Sequence, residues 1–448
     1  MDANVSELPE RTSNPTPSAM RRILGNFGLL VRGRGVAALF VLAATVLTAR
    51  TLGPADFGVV MLVHAYALVI RGLLNVQPFE SVVRFGVPLI ETGDTPALRR
   101  LLWLSLKVDL VCATSAAALA IMVAPLAAWL FDWQQPVALT AMIYGAVLIT
   151  TASGTATGLL RLFDRFDLLG RQLMVGPLVR LAGVLAAWAL DTGVTGFVLA
   201  WALGYGAEHL FAIVCGWRLY GHRIGGRLRP DRSDGPQPRI PGVANFLWVT
   251  YWQSNLDLAS KQLPTLLAGA LLGSVGAGLF RLAQQVASVL AKPAALIRQV
   301  VFLDQTRLHH RGDRDFGRVT RLTALLAGAS GVLFVMLALV FGEPLLRLFV
   351  GEEFVAASGL LTVMLFASTL ELASAPLRTA AYAIGKAGTL LRIHVATTSL
   401  YMVLFFALTS SMGLIGAGVA AASAALIALM GQIWLLNRQR IPAPSSPD

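Results

Sequence analysis

Residues Thr48 to Gly58 read TARTLGPADFG, and residues Gly269 to Gly278 read GALLGSVGAG. Each stretch lies between two long apolar runs. Setting Gly53 on Gly273 brings Leu52 onto Leu272 and Gly58 onto Gly278. The offset is close to half of the 448 residues. Each copy reads as a tight outer turn that ends one span and begins the next. Glycine suits such a turn because it accepts positive φ and close backbone approach. Asp56 stands where a carboxylate can accept the free N–H groups of the second helix. The repeat predicts two related halves in parallel, with an axis along the membrane normal. A central cleft between such halves supports alternating access.

The composition agrees with spans. Hydrophobic residues make up 56% of the chain and charged residues 13%, too few charges to cover a soluble protein of this length. The apolar residues come in blocks of about twenty, enough to cross a bilayer as helices. Helices satisfy their own backbone groups in lipid. Twelve are expected, near 33–51, 57–78, 101–123, 137–159, 171–191, 195–217, 244–268, 275–298, 320–341, 354–376, 386–409 and 412–436. The implied organisation is a cytoplasmic tail at 1–32, a six-helix lobe at 33–217, a linker at 218–243, a second six-helix lobe at 244–436 and a tail at 437–448. Residues 1–20 read as a disordered tail, and the first long apolar run as a retained span.

Charge orients the chain. With the tail and alternate loops placed inside, those segments hold 31 of the 36 lysines and arginines. Both termini are then cytoplasmic. This count places Arg84, Arg99, Arg100 and Lys107 in a loop at 80–107, and Arg161 to Arg180 in a loop at 161–180. The formal charge of +12 lies between spans, so it does not read as a nucleic-acid face. Cys112 and Cys215 read as small core residues. His309 and His310, near Asp313 and Asp315, read as a solvated segment, and no metal site is expected. The chain has no P-loop and no nucleophile–base–orienter set, so no enzymatic chemistry is expected.

Charges at bilayer depth are costly and face protein or water, which makes polar stripes informative. Thr250, Ser254, Asp257, Lys261 and Pro264 share one face of helix 7. Asp257 and Lys261 at i,i+4 can neutralise each other and simply hold the bundle, or line a cavity. Arg281, Gln285, Ser288 and Lys292 form a stripe on helix 8, with Gln284 at its edge; Lys292 can also snorkel to the interface. Helix 2 carries His64, Arg71, Asn75 and Pro78, with Arg71 placed about mid-helix. Helix 10 carries Ser368, Glu371 and Arg378. Asp109, Glu208 and His209 are secondary candidates. The candidate cleft residues are Arg71, Asn75, Lys261, Arg281, Gln285 and Arg378. Asp257 and Glu371 are candidates for ion coupling or counter-charge. Cations from both halves would attract an anion such as a lipid-linked pyrophosphate, which guanidinium groups match well.

The basic entry before helix 1, LTARTLGPADFGVVMLVHAY across helices 1–2 and LPTLLAGALLGSVGAGLFRLAQQV across helices 7–8 resemble the polysaccharide-flippase branch of the multidrug/oligosaccharidyl-lipid/polysaccharide exporter superfamily. The resemblance covers nearly all of residues 20–440. It implies an all-α, MATE-like fold of twelve transmembrane helices, with two pseudo-symmetric six-helix lobes facing each other in a V. It implies a flippase of the bacterial inner membrane that moves an undecaprenyl-pyrophosphate-linked glycan to the periplasmic leaflet for O-antigen or exopolysaccharide assembly. The implied partners are that glycan, membrane lipid, and a polymerase with a chain-length regulator. No cofactor is implied beyond proton or sodium coupling. Members commonly carry an acid in helix 7 near the position of Pro264. This chain has Lys261, Gln262 and Pro264 there, with Asp257 further back. The alternatives are a multidrug cation antiporter of the same fold, a membrane glycan polymerase or ligase, and a non-transporting scaffold.

Overall fold

The structure is a computed structural model, and it describes residues 17–76, 78–228, 246–248, 251, 261–288, 305 and 315–438. Among the described residues, twelve helical segments run in order. They are α1 (Pro17–Leu73), α2 (Pro78–Glu91), α3 (Thr95–Leu130), α4 (Gln135–Val147), α5 (Gly154–Leu162), α6 (Phe166–Ala189) and α7 (Gly193–Arg223), then α8 (Lys261–Ser288), α9 (Asp315–Phe349), α10 (Ser358–Ala383), α11 (Ala387–Met412) and α12 (Leu414–Asn437). Short 3₁₀ turns at Leu148–Thr151 and Glu352–Ala357 precede α5 and α10. Among the described residues, ten helices are long and apolar enough to cross a membrane.

Two of those ten hold the glycines of the repeat. Gly53 interrupts α1 with φ 72° and ψ 175°, and Gly273 within α8 has φ 71°. Glycine takes this left-handed region without the Cβ clash that other residues meet. Pro54 follows Gly53 and has no N–H to continue the preceding helix, but its fixed φ suits the first turn of the next. Asp56 is exposed.

Several boundaries differ from expectation. Helix 2 ends at Leu73, so Arg71 stands in its last turn, not mid-helix. The segment expected as a loop at 80–107 is mostly helical. It holds α2, whose Pro78, Ser81, Val82 and Gly86 are buried, and the start of α3. The Asp94 side chain accepts a hydrogen bond from the Ala97 N–H at 2.9 Å and caps α3. α2 is amphipathic and too short to span, so span counting passes over it. Its Val82 packs on Gly158 of α5, where a Cβ would meet the Val82 Cβ at 2.7 Å. The span expected at 137–159 is broken between Val147 and Gly154. Arg180, counted with a loop, lies inside α6. Arg378 lies inside α10, not at the edge of the loop that follows.

Small residues bring the helices together, as lipid supplies no hydrophobic drive between them. α6 and α7 cross where Gly176 meets Gly204 and Gly183 meets Ala200. Gly216 of α7 lies against Ala156 of α5. Large apolar residues such as Met122, Trp129 and Leu325 are more than 70% exposed. On a water-soluble protein this would be a liability; on these helices it is the lipid face.

Candidate substrate path

The two glycine turns meet. A Cβ on Gly58 would lie 3.1 Å from the Gly278 nitrogen and would overlap the Ser274 carbonyl oxygen. A Cβ on Gly278 would lie 3.2 Å from the Gly58 Cα and would overlap the Pro54 carbonyl oxygen. The halves of the chain therefore touch backbone to backbone at their turn ends. Around this crossing, Phe57 meets Phe354 edge to face at 5.9 Å. Arg50 donates to the Leu348 carbonyl at 3.0 Å. Phe57 and Phe354 are fully buried, so the elements are packed tightly at this crossing.

A chain of polar groups runs from the crossing toward the opposite end. His64, six residues past Gly58, lies about 9 Å along the helix at 1.5 Å per residue. Its Nδ1 shares a hydrogen bond with the Tyr144 hydroxyl at 2.5 Å, and its ring abuts Trp201 at 4.9 Å. The guanidinium of Arg180 lies over the Trp201 ring at 4.2 Å. The charge of Arg180 reaches Arg281, three residues past Gly278, and the charges of both reach His64. Arg281 donates to Gln284 at 2.8 Å. Glu208 acts on Arg180 and Tyr205. Tyr205 stacks edge-on to His209 at 4.8 Å, and His209 shares a 2.8 Å hydrogen bond with Ser153.

Arg71 stands about 20 Å along the helix from Gly58, near the other end. It lines a small pocket with Asn75, Asp109, Cys112 and Thr151, and its charge reaches Asp109, Tyr205 and His209. Asp109 is held by the break between α4 and α5, accepting hydrogen bonds from the Thr155 N–H at 2.5 Å and hydroxyl at 2.6 Å.

Arg71, Arg180 and Arg281 thus lie along one run of interior polar groups. None of them lies within ion-pair distance of a carboxylate among the described residues, where the ion pairs are Arg165–Asp167, Arg347–Glu343 and Arg347–Glu352. The Arg180 Nε is inaccessible and has no hydrogen-bond partner among the described residues. A guanidinium stays charged in such surroundings, and the carboxylates whose charge is felt nearby are Glu208 at Arg180 and Asp109 at Arg71.

The other expected residues are placed differently. Gln285 is half-buried beside Arg281 on α8. Lys261 is exposed at the described start of α8. Arg378 donates to the Glu371 carbonyl at 3.4 Å, while the exposed Glu371 side chain acts on Tyr401. That places this pair toward α11, apart from the arginine path. Asp257, Thr250, Ser254, Lys292, His309, His310 and Asp313 lie outside the described residues, as does most of the linker. Among the described residues no three His, Cys, Asp or Glu side chains gather as a metal site. Arg180 and Tyr144 are the interior residues that the sequence reading missed. An arginine in the middle of an apolar helix was the available signal for the first; Tyr144 carried none.

Residues 46–358 match the family described as polysaccharide biosynthesis protein. The chain is 29% identical over 347 residues to the inner membrane protein YghQ of Escherichia coli K12, covering 77% of this chain and 96% of that one. The fold is similar to the lipid II flippase MurJ in an inward closed conformation, with TM-score 0.72, 13% identity and coverage of 91% of this chain and 87% of that chain. It is also similar to a multidrug resistance MATE family transporter of the MOP superfamily in an inward-facing conformation, with TM-score 0.70, 15% identity and coverage of 91% and 96%. The fold is accordingly all-α, multi-span and MATE-like.

Proposed function

The chain belongs to the family of polysaccharide biosynthesis proteins, and from that premise we propose that it carries a polyprenyl-pyrophosphate-linked oligosaccharide from the cytoplasmic to the periplasmic leaflet by alternating access. The observation that carries this reading is the interior path of Arg71, Arg180 and Arg281, none ion-paired to a described carboxylate. A pyrophosphate supplies counter-charge beyond that of Asp109 and Glu208, and guanidinium forks match its oxygens. The polyprenyl tail stays in lipid while the headgroup crosses within the protein, which avoids the large cost of moving a charge through hydrocarbon.

The ten candidate spans become twelve crossings when the helices holding Gly53 and Gly273 are each counted as two. Residues 33–217 and 244–436 then form two six-helix lobes joined by the linker at 218–243. Both tails, 1–32 and 437–448, lie in the cytoplasm of a bacterial inner membrane. The glycan feeds O-antigen or exopolysaccharide assembly, with a polymerase and a chain-length regulator acting on the product. Proton or sodium entry, or consumption of the glycan outside, drives net movement. In this arrangement the closed glycine crossing is the periplasmic end, and cargo enters near Arg71.

The test uses purified protein in proteoliposomes containing a polyprenyl-pyrophosphate oligosaccharide and an impermeant glycan-modifying enzyme outside. Protein-dependent modification of the inner-leaflet pool is the expected result. Exchange of a cationic drug with no glycan movement would replace this reading with the antiporter one.

A further inference from the structure

We propose that the groove between α2 and the α5–α6 turn receives the sugar part of the cargo, and that it suits a neutral, hydroxyl-rich glycan. The inference rests on the flippase reading above, and adds where and by what chemistry the glycan is recognised.

The groove has a volume of about 740 Å³, within the roughly 300–1,000 Å³ usual for small-ligand pockets. One wall is α2. Phe79, Val83 and Val87 line it at four-residue spacing, on a different side of the helix from the buried Pro78, Val82 and Gly86. The other wall is the turn after α5, with Leu162, Asp164 and Phe166. Glycines set the two walls close together. A Cβ on Gly158 would lie 2.7 Å from the Val82 Cβ, and one on Gly86 would lie 3.1 Å from the Leu162 Cδ2. The turn itself is braced, since Arg165 donates two hydrogen bonds of 2.9 Å to Asp167 across Phe166. Asp164 takes φ 55° there, a conformation that Asp tolerates better than most residues.

The charges select the ligand. Glu80, Glu91 and Asp164 stand around the cavity with Arg84 and Arg161, three negative groups against two positive. Arg161 lies over the Phe79 ring at 4.2 Å and Arg84 over the Phe246 ring at 4.7 Å. None of the three carboxylates enters an ion pair among the described residues. A carboxylate only accepts hydrogen bonds and a guanidinium only donates them, whereas a hydroxyl does both. A sugar ring therefore serves both kinds of group, and turns its C–H face to the rings and aliphatic side chains. An acyl chain would leave the charges without partners. A second phosphate would meet an excess of negative charge.

The position fits a glycan attached to a pyrophosphate. Pro78 lines the Arg71 pocket, and the next residue, Phe79, lines the groove. Both walls belong to segments that the charge bias puts on the cytoplasmic side, where the glycan begins its crossing. One cargo molecule can then place its pyrophosphate beside Arg71 and its first sugars in the groove.

The experiment uses the full chain in nanodiscs, with Cys112 and Cys215 replaced by serine and Val87→Cys as the reporter, because Val87 is 41% exposed in the groove. Three lipids share one polyprenyl-pyrophosphate part; the first carries a neutral trisaccharide, the second a trisaccharide of uronic acids and the third no sugar. At saturation the neutral form should slow maleimide labelling at least about fivefold, and the other two less than about twofold. Equal protection by the sugar-free lipid would assign the groove to the tail and overturn the proposal. Stronger protection by the uronic form, or none by the neutral form, would overturn it too. Translocation in proteoliposomes, read for both lipids by an impermeant pyrophosphatase outside, gives a second measure. Glu80→Gln and Phe166→Ala should each raise the half-saturating concentration of the neutral lipid, relative to that of the sugar-free lipid, at least about fivefold. A general loss of fold moves both concentrations together, so an unchanged ratio in both variants contradicts the proposal. The two claims fail separately. Glycan movement with no protection of the reporter sinks the groove and leaves the flippase, and protection with no movement does the reverse.

Discussion

Arg180 is the last residue of the loop at 161–180 in the reading by charge count, and lies over the Trp201 ring in the structure. The same physical rule covers both. A guanidinium at the centre of a membrane helix costs roughly 2.5–3.5 kcal/mol on insertion scales, so its retention calls for a role. Arg71 and Arg281 were legible because they interrupt apolar runs with no acid nearby in sequence. Arg180 was equally legible and was lost to a loop tally that reached into the helix. Asp109 was read as secondary because its partners, the Thr155 N–H and hydroxyl, come from a helix break that apolar composition does not signal. Replacing Asp109 by alanine leaves those groups unsatisfied. The expected loss is roughly 1–3 kcal/mol, seen as a lower unfolding temperature in detergent. Asp109→Asn, which keeps one acceptor, should lose less.

At the scale of elements, the turn glycines carried the clearest signal. Gly53 and Gly273 share φ values of 72° and 71°, and their followers Gly58 and Gly278 make the crossing. Sequence alignment related the two copies; it held no information that they touch. The crossing admits no side chain without displacing main-chain atoms, so Gly278→Val should force the outer ends apart. The check is labelling of Phe57→Cys, a fully buried position, by an impermeant maleimide added from outside. Labelling should rise at least about tenfold in the valine variant, equivalent to roughly 1.4 kcal/mol in the opening equilibrium. Unchanged protection would show that the closure does not depend on this contact. α2 escaped the sequence reading for a different reason. Fourteen residues are too few to span, and hydropathy windows built for spans average such a helix into the charged segments around it.

At the scale of the molecule, the order of spans and the charge bias together predict which side each turn faces. The turns at Thr92 and Lys386 should be inside, and those at Leu190 and Ser411 outside. Single cysteines at these positions, probed in intact cells with an impermeant thiol reagent, should label only at Leu190 and Ser411. Labelling at Thr92 or Lys386 would invert the orientation. That the chain is an all-α, multi-span membrane protein was legible from composition because lipid demands about twenty apolar residues in helical form. How the spans close on one another was not, because closure is made by small residues and main-chain contacts that leave hydropathy unchanged.

The path of three arginines is the central claim, and headgroup translocation by variants of it is the direct test. Protein reconstituted with a polyprenyl-pyrophosphate oligosaccharide is compared with Arg71→Ala and Arg281→Ala at matched folded content. Each variant should slow delivery to the outer leaflet at least about tenfold, as expected when a charged contact worth roughly 1.4 kcal/mol or more in the crossing state is removed. Wild-type rates in both variants would contradict the account and place the headgroup's route elsewhere in the molecule.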